Sequence, residues 1–289
     1  MATLFEGCGT ALLTPFKRNQ VDYPALARLI DAQIAGGVDA LIACGTTAEP
    51  ATMTEEEWQS VLAFVIRQAA GRVPVIAGTG GNNTMDVIRK ARVAKDLGAS
   101  AQLCVTPYYN KTTQAGLAAH YRAIARESGL PVIVYNVPSR TGLNMLPQTL
   151  HELADEENII AVKEASGSLT QIMEMIRLCG DRIALYSGSD ELTAPIRAVG
   201  GKGVISVTAN IAPQIMAEMA HAPIERAAEL NLQYLPLINA LFSEVNPIPV
   251  KAAAAMMGLC KNEVRLPLIP LSREHQKQLK YEMQKAGLL

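Results

Sequence analysis

The chain has 289 residues, 49% of them hydrophobic, which suffices for one large α/β barrel or two ordinary domains. Its 26 Lys and Arg against 27 Asp and Glu give a net charge of −1. Because no basic stripe is present to collect phosphates, we expect no nucleic-acid partner. The five cysteines are odd in number and widely spaced, which is typical of reduced thiols and predicts a cytoplasmic protein.

No targeting or membrane segment is expected. The first residues, MATLFEGCGT, lack a basic region followed by an apolar one, so they do not resemble a secretory signal. No uninterrupted apolar run reaches the roughly 18 residues that a membrane-spanning helix needs. We therefore expect no membrane partner.

Short apolar runs alternate with amphipathic helical patterns over the first 220 or so residues, a (β/α) alternation. The eight strand candidates, in chain order, are GTALLTP near residue 9, DALIACG near 39, VPVIAGTG near 73, SAQLCVTP near 100, LPVIVYNVP near 130, IIAVKEAS near 159, RIALYSGSD near 182 and KGVISVTAN near 202. Such near-continuous apolar strands predict parallel pairing. Eight regular units predict a (β/α)8 TIM barrel, an α/β fold, over residues 1–223. The alternative, a doubly wound open sheet, is disfavoured because no strand leads into GxGxxG.

Two helix starts carry capping signals. Thr54 followed by Glu57 predicts a capping box, and Ser168 followed by Gln171 predicts a second one. After about residue 223 the strand pattern stops. Residues 224–289 are expected to form a C-terminal α-helical domain whose helices break at Pro236, at residues 246–249, and around Pro267 and Pro270.

In a barrel of this kind the reacting groups come from the C-terminal ends of the strands. Polar residues follow the expected strands at 45–47, 106–109, 135–140, 163–164, 187–190 and 206–208. All of these segments are expected at one rim. Lys202, in GGKG, precedes the last strand and is expected at the opposite rim, so its glycines form a turn and not a phosphate site.

Lys163 stands out because it ends a strand that has no polar face. A lysine is almost never fully buried without a partner. Either a carboxylate, Asp190 or Glu49, pairs with it, or the amine has a chemical use. A desolvated amine has a lowered pKa and can attack a keto or aldehyde carbon to form a Schiff base. Tyr135, one strand over, can supply the phenol for proton transfer.

A metal-dependent aldolase is the less favoured chemistry. It would need histidines or several carboxylates at strand ends, whereas the four histidines fall in helical or post-barrel segments. GxSxG, P-loop and CxxC signatures are also absent from the sequence. We therefore expect no metal site.

Seven segments of the chain occur in the order known from one family. They are GTTAEPAT at 45–52, VTPYYNK at 105–111, YNVPSRTG at 135–142, VKEASG at 162–167, YSGSD at 186–190, GVISVTAN at 203–210 and NPIPVK at 246–251. Together they resemble the dihydrodipicolinate synthase (4-hydroxy-tetrahydrodipicolinate synthase) family of pyruvate-dependent Schiff-base lyases. The resemblance covers essentially the whole chain. It implies condensation of pyruvate with L-aspartate 4-semialdehyde in lysine and diaminopimelate biosynthesis, without a cofactor, by a homotetramer built from dimers.

The resemblance also implies roles for individual residues. Lys163 would form the Schiff base with pyruvate, and Tyr135 would donate and accept the proton. Thr46 and Tyr109 would complete a hydroxyl relay, with Tyr109 reaching into the neighbouring subunit's site. Four further residues would bind substrate: Thr47 and the backbone of Ile205 at the pyruvate carboxylate, Gly188 at the pocket wall, and Arg140 at the semialdehyde carboxylate.

Some features depart from the family pattern or leave alternatives open. Ala48 stands in place of a usual glycine and Pro50 where a serine is common, so Ala48 would be strained if that position needs a positive φ. Feedback inhibition by lysine stays open, because Glu55 and Trp58 replace histidines of lysine-sensitive members. The nearest alternative is a sibling lyase, such as N-acetylneuraminate lyase or a 2-keto-3-deoxy-sugar-acid aldolase, which generally lacks an arginine at position 140. A non-catalytic keto-acid or amino-acid sensor on the same barrel is a further alternative.

Overall fold

The computed structural model describes residues 3–289, which contain ten strands and twelve α-helices. The strands are β1 Gly7–Ala11, β2 Phe16–Lys17, β3 Gln20–Val21, β4 Ala40–Ala43, β5 Val75–Gly78, β6 Ala101–Val105, β7 Val132–Asn136, β8 Ile159–Glu164, β9 Ala184–Ser187 and β10 Gly203–Ser206. The helices are α1 Tyr23–Ala35, α2 Glu55–Ala69, α3 Thr84–Asp96, α4 Gln114–Glu127, α5 Pro138–Thr141, α6 Pro147–Leu153, α7 Leu169–Cys179, α8 Thr193–Ala198, α9 Pro213–His221, α10 Ile224–Leu241, α11 Ile248–Met256 and α12 Arg273–Lys285.

Eight parallel strands form a closed barrel in the order β1-β10-β9-β8-β7-β6-β5-β4, with β1 paired to both β4 and β10. These are the eight strands predicted from the sequence, so the (β/α)8 TIM barrel is confirmed and the open sheet is not the arrangement. Side chains of the strands and of the surrounding helices are buried on both sides of the barrel wall. The near-continuous apolar runs are therefore the result of two-sided burial.

A short antiparallel hairpin, β2 with β3, was not predicted. Each of its strands has only two residues, too few for a period-two pattern to be recognised. Its turn residues, Arg18 and Asn19, both adopt a positive φ. The hairpin matters for the site because it carries Phe16, which is fully buried.

The helix-capping predictions have different outcomes. The capping box of Thr54 and Glu57 is present, with both side-chain hydrogen bonds formed. Ser168 accepts a hydrogen bond from the Gln171 N–H, but the reciprocal half of that capping box is wrong. The Gln171 amide instead exchanges hydrogen bonds with the Asn144 side chain, because that amide lies within reach on the neighbouring segment.

The C-terminal segment is helical, as predicted, and no strand follows β10 among the described residues. The predicted break at Pro236 is wrong, because α10 runs through it. Proline removes one hydrogen bond to the carbonyl four residues earlier, here that of Leu232, a residue on the exposed side of the helix. Burial of Leu237 and Leu241 on the same helix favours its continuation. The chain does leave the helical conformation between α10 and α11 and around Pro267 and Pro270.

Helices α10, α11 and α12 cover the C-terminal end of the barrel rather than forming a separate core. Leu237, Val250 and Leu279 belong to the same buried cluster as the barrel-interior residues Ile42 and Ile133.

Within residues 3–289, no helix is both long enough and apolar enough to cross a membrane.

Candidate active site

A cavity of about 360 Å³ opens at the C-terminal end of the barrel, the rim at which the site was predicted. Six of the eight predicted site residues line it: Lys163, Tyr135, Thr46, Thr47, Arg140 and Gly188. A second cavity of about 390 Å³ adjoins it and shares Thr46, Tyr135 and Arg140. Lys202 lies at the opposite rim, 3.6 Å from Glu6, in agreement with the structural role expected for it.

Lys163 and Tyr135 lie side by side because their strands place them in register. Tyr135 of β7 is the direct partner of Lys163 on β8, and the Lys163 Nζ lies 4.6 Å from the centre of the Tyr135 ring. Lys163 is only 4% exposed. The amine thus faces both the cavity and the phenol.

Neither of the two carboxylates considered from the sequence forms an ion pair with Lys163. The Asp190 Oδ2 accepts hydrogen bonds from the N–H groups of Val207 and Thr208, at 3.1 and 2.7 Å. Glu49 is bound to a different lysine, Lys251. Of these alternatives, the geometry favours the chemical use of the amine.

The electrostatics of the pair suit imine chemistry. Burial lowers the pKa of Lys163 to about 8, with the Asp190 charge opposing the shift and the Arg140 charge adding to it. Burial raises the pKa of Tyr135 to about 12, so its phenol remains protonated at neutral pH. An amine that is partly neutral near pH 7, next to a proton donor, can add to a carbonyl.

Gly188 provides the space for the lysine side chain. A Cβ atom at this position would lie 3.1 Å from Lys163 Cε and 2.7 Å from the Ala165 Cβ. Its N–H donates to the carbonyl of Glu164 at 2.7 Å, which keeps the β9 loop against β8. A larger residue would therefore push directly on the Lys163 side chain.

Residues 45–52, hereafter the 45–52 loop, follow β4 and consist of two 3-10 turns, Thr46–Ala48 and Pro50–Thr52. The positive φ angles flanking and within this loop fall on Cys44 (55°) and Glu49 (60°), and not on Ala48. The strain considered for Ala48 is therefore absent. Pro50 is the first residue of the second turn, a position that suits proline.

Thr47 and Arg140 are both connected to Asn246, a residue for which the sequence suggested no role. The buried Thr47 Oγ1 accepts a hydrogen bond from the Asn246 Nδ2 at 2.9 Å. An Arg140 Nη2 donates to the Asn246 carbonyl at 3.3 Å. Asn246 opens the NPIPVK segment, so the motif itself was the signal that could have identified it.

The two remaining predicted residues, Tyr109 and Ile205, do not line the cavity. Tyr109 is 91% exposed, with a φ of 68°, on the loop after β6. Ile205 is fully buried in β10, paired with Gly9, and the nearby Val207 lines the cavity instead.

Among residues 3–289, no cluster of three or more His, Cys, Asp or Glu side chains could hold a metal ion. The four histidines lie in α4, α6, α9 and α12.

Comparisons with known proteins identify the family of the chain. A sequence profile of the Dihydrodipicolinate synthetase family matches residues 4–286. The 4-hydroxy-tetrahydrodipicolinate synthase of Trichlorobacter lovleyi is 49% identical over 290 residues, covering 99% of this chain and 100% of that protein. A solved dihydrodipicolinate synthase from Acinetobacter baumannii, complexed with pyruvate, superimposes with a TM-score of 0.97 at 42% identity, covering 98% of this chain and 99% of the other. A monomeric dihydrodipicolinate synthase variant gives a TM-score of 0.97 at 41% identity, with coverage of 99% and 98%. The fold, the buried lysine and these relatives together place the chain in the dihydrodipicolinate synthetase family.

Proposed function

We propose that the chain is a lyase that condenses pyruvate with L-aspartate 4-semialdehyde to 4-hydroxy-tetrahydrodipicolinate, in lysine and diaminopimelate biosynthesis. The observation that carries this proposal is the buried Lys163 amine, which faces a cavity and the Tyr135 phenol without a carboxylate partner. The 49% identity to a 4-hydroxy-tetrahydrodipicolinate synthase supports the choice of substrates.

The reaction proceeds through covalent intermediates on Lys163. Its neutral amine adds to C2 of pyruvate, and loss of water gives the imine. The imine withdraws electrons, so a methyl proton leaves and an enamine forms. The enamine carbon attacks the semialdehyde carbonyl. The amino group of the semialdehyde then adds to the imine carbon, displaces Lys163 and closes the ring.

Proton transfers are assigned to Tyr135, which donates and accepts a proton next to the lysine nitrogen. Thr46, on the exposed part of the 45–52 loop, continues the relay toward solvent. Tyr109 completes it by entering the site of a neighbouring subunit in a homotetramer built from dimers. The 91% exposure of this large aromatic side chain supports such a contact.

Substrate binding is assigned to groups of complementary charge. Thr47, which lines the cavity, holds the pyruvate carboxylate together with the backbone of Ile205, two residues before the cavity-lining Val207. Gly188 leaves room for the bound substrate. The Arg140 guanidinium binds the semialdehyde carboxylate, a task that suits its paired donors. Its position at the mouth of the cavity supports this role.

The proposal includes residues 1–223 as the catalytic barrel, residues 224–289 as a C-terminal helical domain in the sense of an extension packed on the barrel, and a cytoplasmic location. The start of α10 at Ile224 supports the division, and five unpaired thiols support a reducing compartment.

A coupled assay tests the proposal directly. Purified protein is given pyruvate and L-aspartate 4-semialdehyde, and product formation is measured beside cleavage of N-acetylneuraminate. We expect condensation and no sugar-acid cleavage. Cleavage without condensation would instead identify the sibling lyase. Sedimentation of the same sample tests the tetramer, an informative measurement because a similar solved variant is monomeric.

A further inference from the structure

Two lysines of the described chain are almost completely buried, and only one of them has a carboxylate partner. Lys163 faces the cavity, whereas Lys251 of α11 is 0% exposed and forms an ion pair with Glu49. The Lys251 Nζ also lies 4.0 Å from the centre of the Phe16 ring. A protonated amine held against a carboxylate and an aromatic face is not a nucleophile. Lys251 therefore acts through the residue it binds.

Glu49 is the central residue of the 45–52 loop, and its backbone is in the left-handed region, with φ 60° and ψ 42°. Its N–H donates to the carbonyl of Thr46, and its own carbonyl accepts from the N–H of Thr52, both at 3.1 Å. A non-glycine residue in this conformation persists only where its surroundings hold it. Two groups hold the Glu49 carboxylate: the Lys251 ammonium, and the backbone N–H of Arg265 at 3.0 Å.

The segment that carries Lys251 holds the loop at a second point. Asn246 precedes α11 and donates its Nδ2 to the Thr47 hydroxyl. The Lys251 N–H bonds to the carbonyl of Pro247 at 3.0 Å, so both contacts belong to one helical turn. Because the Thr47 oxygen accepts from Asn246, the hydroxyl proton can be donated to an anion in the cavity.

We infer that the Glu49–Lys251 ion pair positions the 45–52 loop so that the Thr47 hydroxyl faces the pyruvate carboxylate. This inference rests on the proposed function and deepens it, since it gives the C-terminal segment a part in pyruvate binding. Glu49 and Lys251 are positioning residues, because neither touches the reacting atoms.

The test uses variants that separate binding from folding. The double variant Glu49→Gln with Lys251→Met removes both charges at nearly constant volume and leaves no unpaired buried ion. Glu49→Gln alone keeps the side-chain shape but leaves the Lys251 ammonium buried without its anion, so it should be the less stable of the two variants. Ile124→Ala is the matched control, because Ile124 is fully buried on α4, outside the barrel wall, and its truncation lowers stability without touching the loop.

Each protein is assayed for its thermal unfolding midpoint, its KM for pyruvate and for the semialdehyde, and pyruvate capture by borohydride. We expect the double variant to unfold within about 5 °C of the parent. Its KM for pyruvate should rise at least about tenfold, the loss expected for one misplaced hydrogen bond to a charged group. Its KM for the semialdehyde should change far less, and Ile124→Ala should lower the midpoint with both KM values unchanged.

Three results would overturn the inference. The first is a stable double variant with the parent's KM for pyruvate. The second is that neither variant folds, since the pair would then serve the fold itself. The third is a rise of the KM for pyruvate in Ile124→Ala as large as in the double variant. A parent protein that captures no pyruvate at all would instead overturn the proposed function, so the two failures are distinguishable.

Discussion

Replacement of Lys163 by methionine should abolish activity and stabilise the fold at the same time. Burial lowers the pKa of this lysine from 10.5 to about 8. Each pKa unit corresponds to about 1.4 kcal/mol, so the protonated amine destabilises the folded state by about 3 kcal/mol at neutral pH. Methionine has a similar shape and no charge, and its side chain suits an apolar wall. Lys163→Met should therefore raise the free energy of unfolding by about this amount at pH 7.

The stability gained by Lys163→Met depends on pH. Between about pH 8 and pH 10.5 the lysine is neutral in the folded chain but protonated in the unfolded chain. The unfolded state then binds more protons, so the stability of the parent rises with pH across this window. The penalty is complete below pH 8 and lost above pH 10.5. The advantage of Lys163→Met should accordingly shrink as the pH rises from 7 to 10.5.

Urea unfolding at pH 7 and pH 10, followed by the fluorescence of Trp58, the one tryptophan of the chain, measures both effects. The other buried lysine provides the control. Lys251→Met leaves Glu49 buried without its partner, and should destabilise by about 3–5 kcal/mol. A Lys163→Met variant that is less stable than the parent at pH 7, or whose gain is equal at both pH values, would refute the reasoning.

Three further predictions concern the reaction. Arg140→Ala should raise the KM for the semialdehyde at least about tenfold and leave pyruvate capture by borohydride nearly unchanged; equal loss of both would mean that its role is misassigned. Tyr135→Phe keeps the ring beside Lys163 but removes the proton donor, so the steady-state kcat should fall by about 10²- to 10⁴-fold. A kcat close to that of the parent would exclude the phenol as the proton carrier. The rate of imine formation at low pyruvate concentration should rise about tenfold per pH unit up to about pH 8, the pKa to which Lys163 is lowered, and then level off. Stopped-flow absorbance measures this rate, and a rate independent of pH would show that the amine is not the titrating group.

Much of the fold could be predicted from the sequence because local pattern and tertiary burial agree in the strands. Each barrel strand is buried on both faces, so its apolar run is visible without knowledge of its neighbours. The hairpin of β2 and β3 has no such pattern. The continuation of α10 through Pro236 depends on the tertiary packing of the flanking residues, and helix propensity does not predict that packing.

The position of the candidate site was predicted from one rule, that the C-terminal ends of the strands share a rim, and the structure places Lys163 and Tyr135 together at that rim. The ion pair of Glu49 with Lys251 could not be predicted in this way, because 202 positions separate the two residues. From the sequence, Glu49 was an equally reasonable partner for Lys163. Only the packing of α11 over the barrel mouth decides which lysine is paired with a carboxylate and which faces the cavity.

Of the two buried amines, we expect that of Lys163, and not that of Lys251, to react with pyruvate. Sodium borohydride reduces an imine to a stable secondary amine, so treatment of the protein with pyruvate and borohydride, followed by peptide mass spectrometry, locates the reacting residue. We expect a single modified peptide, with the adduct on Lys163, and no modification of Lys251. An adduct on Lys251 or on a surface lysine, or no adduct at all, would show that Lys163 is not the Schiff-base residue.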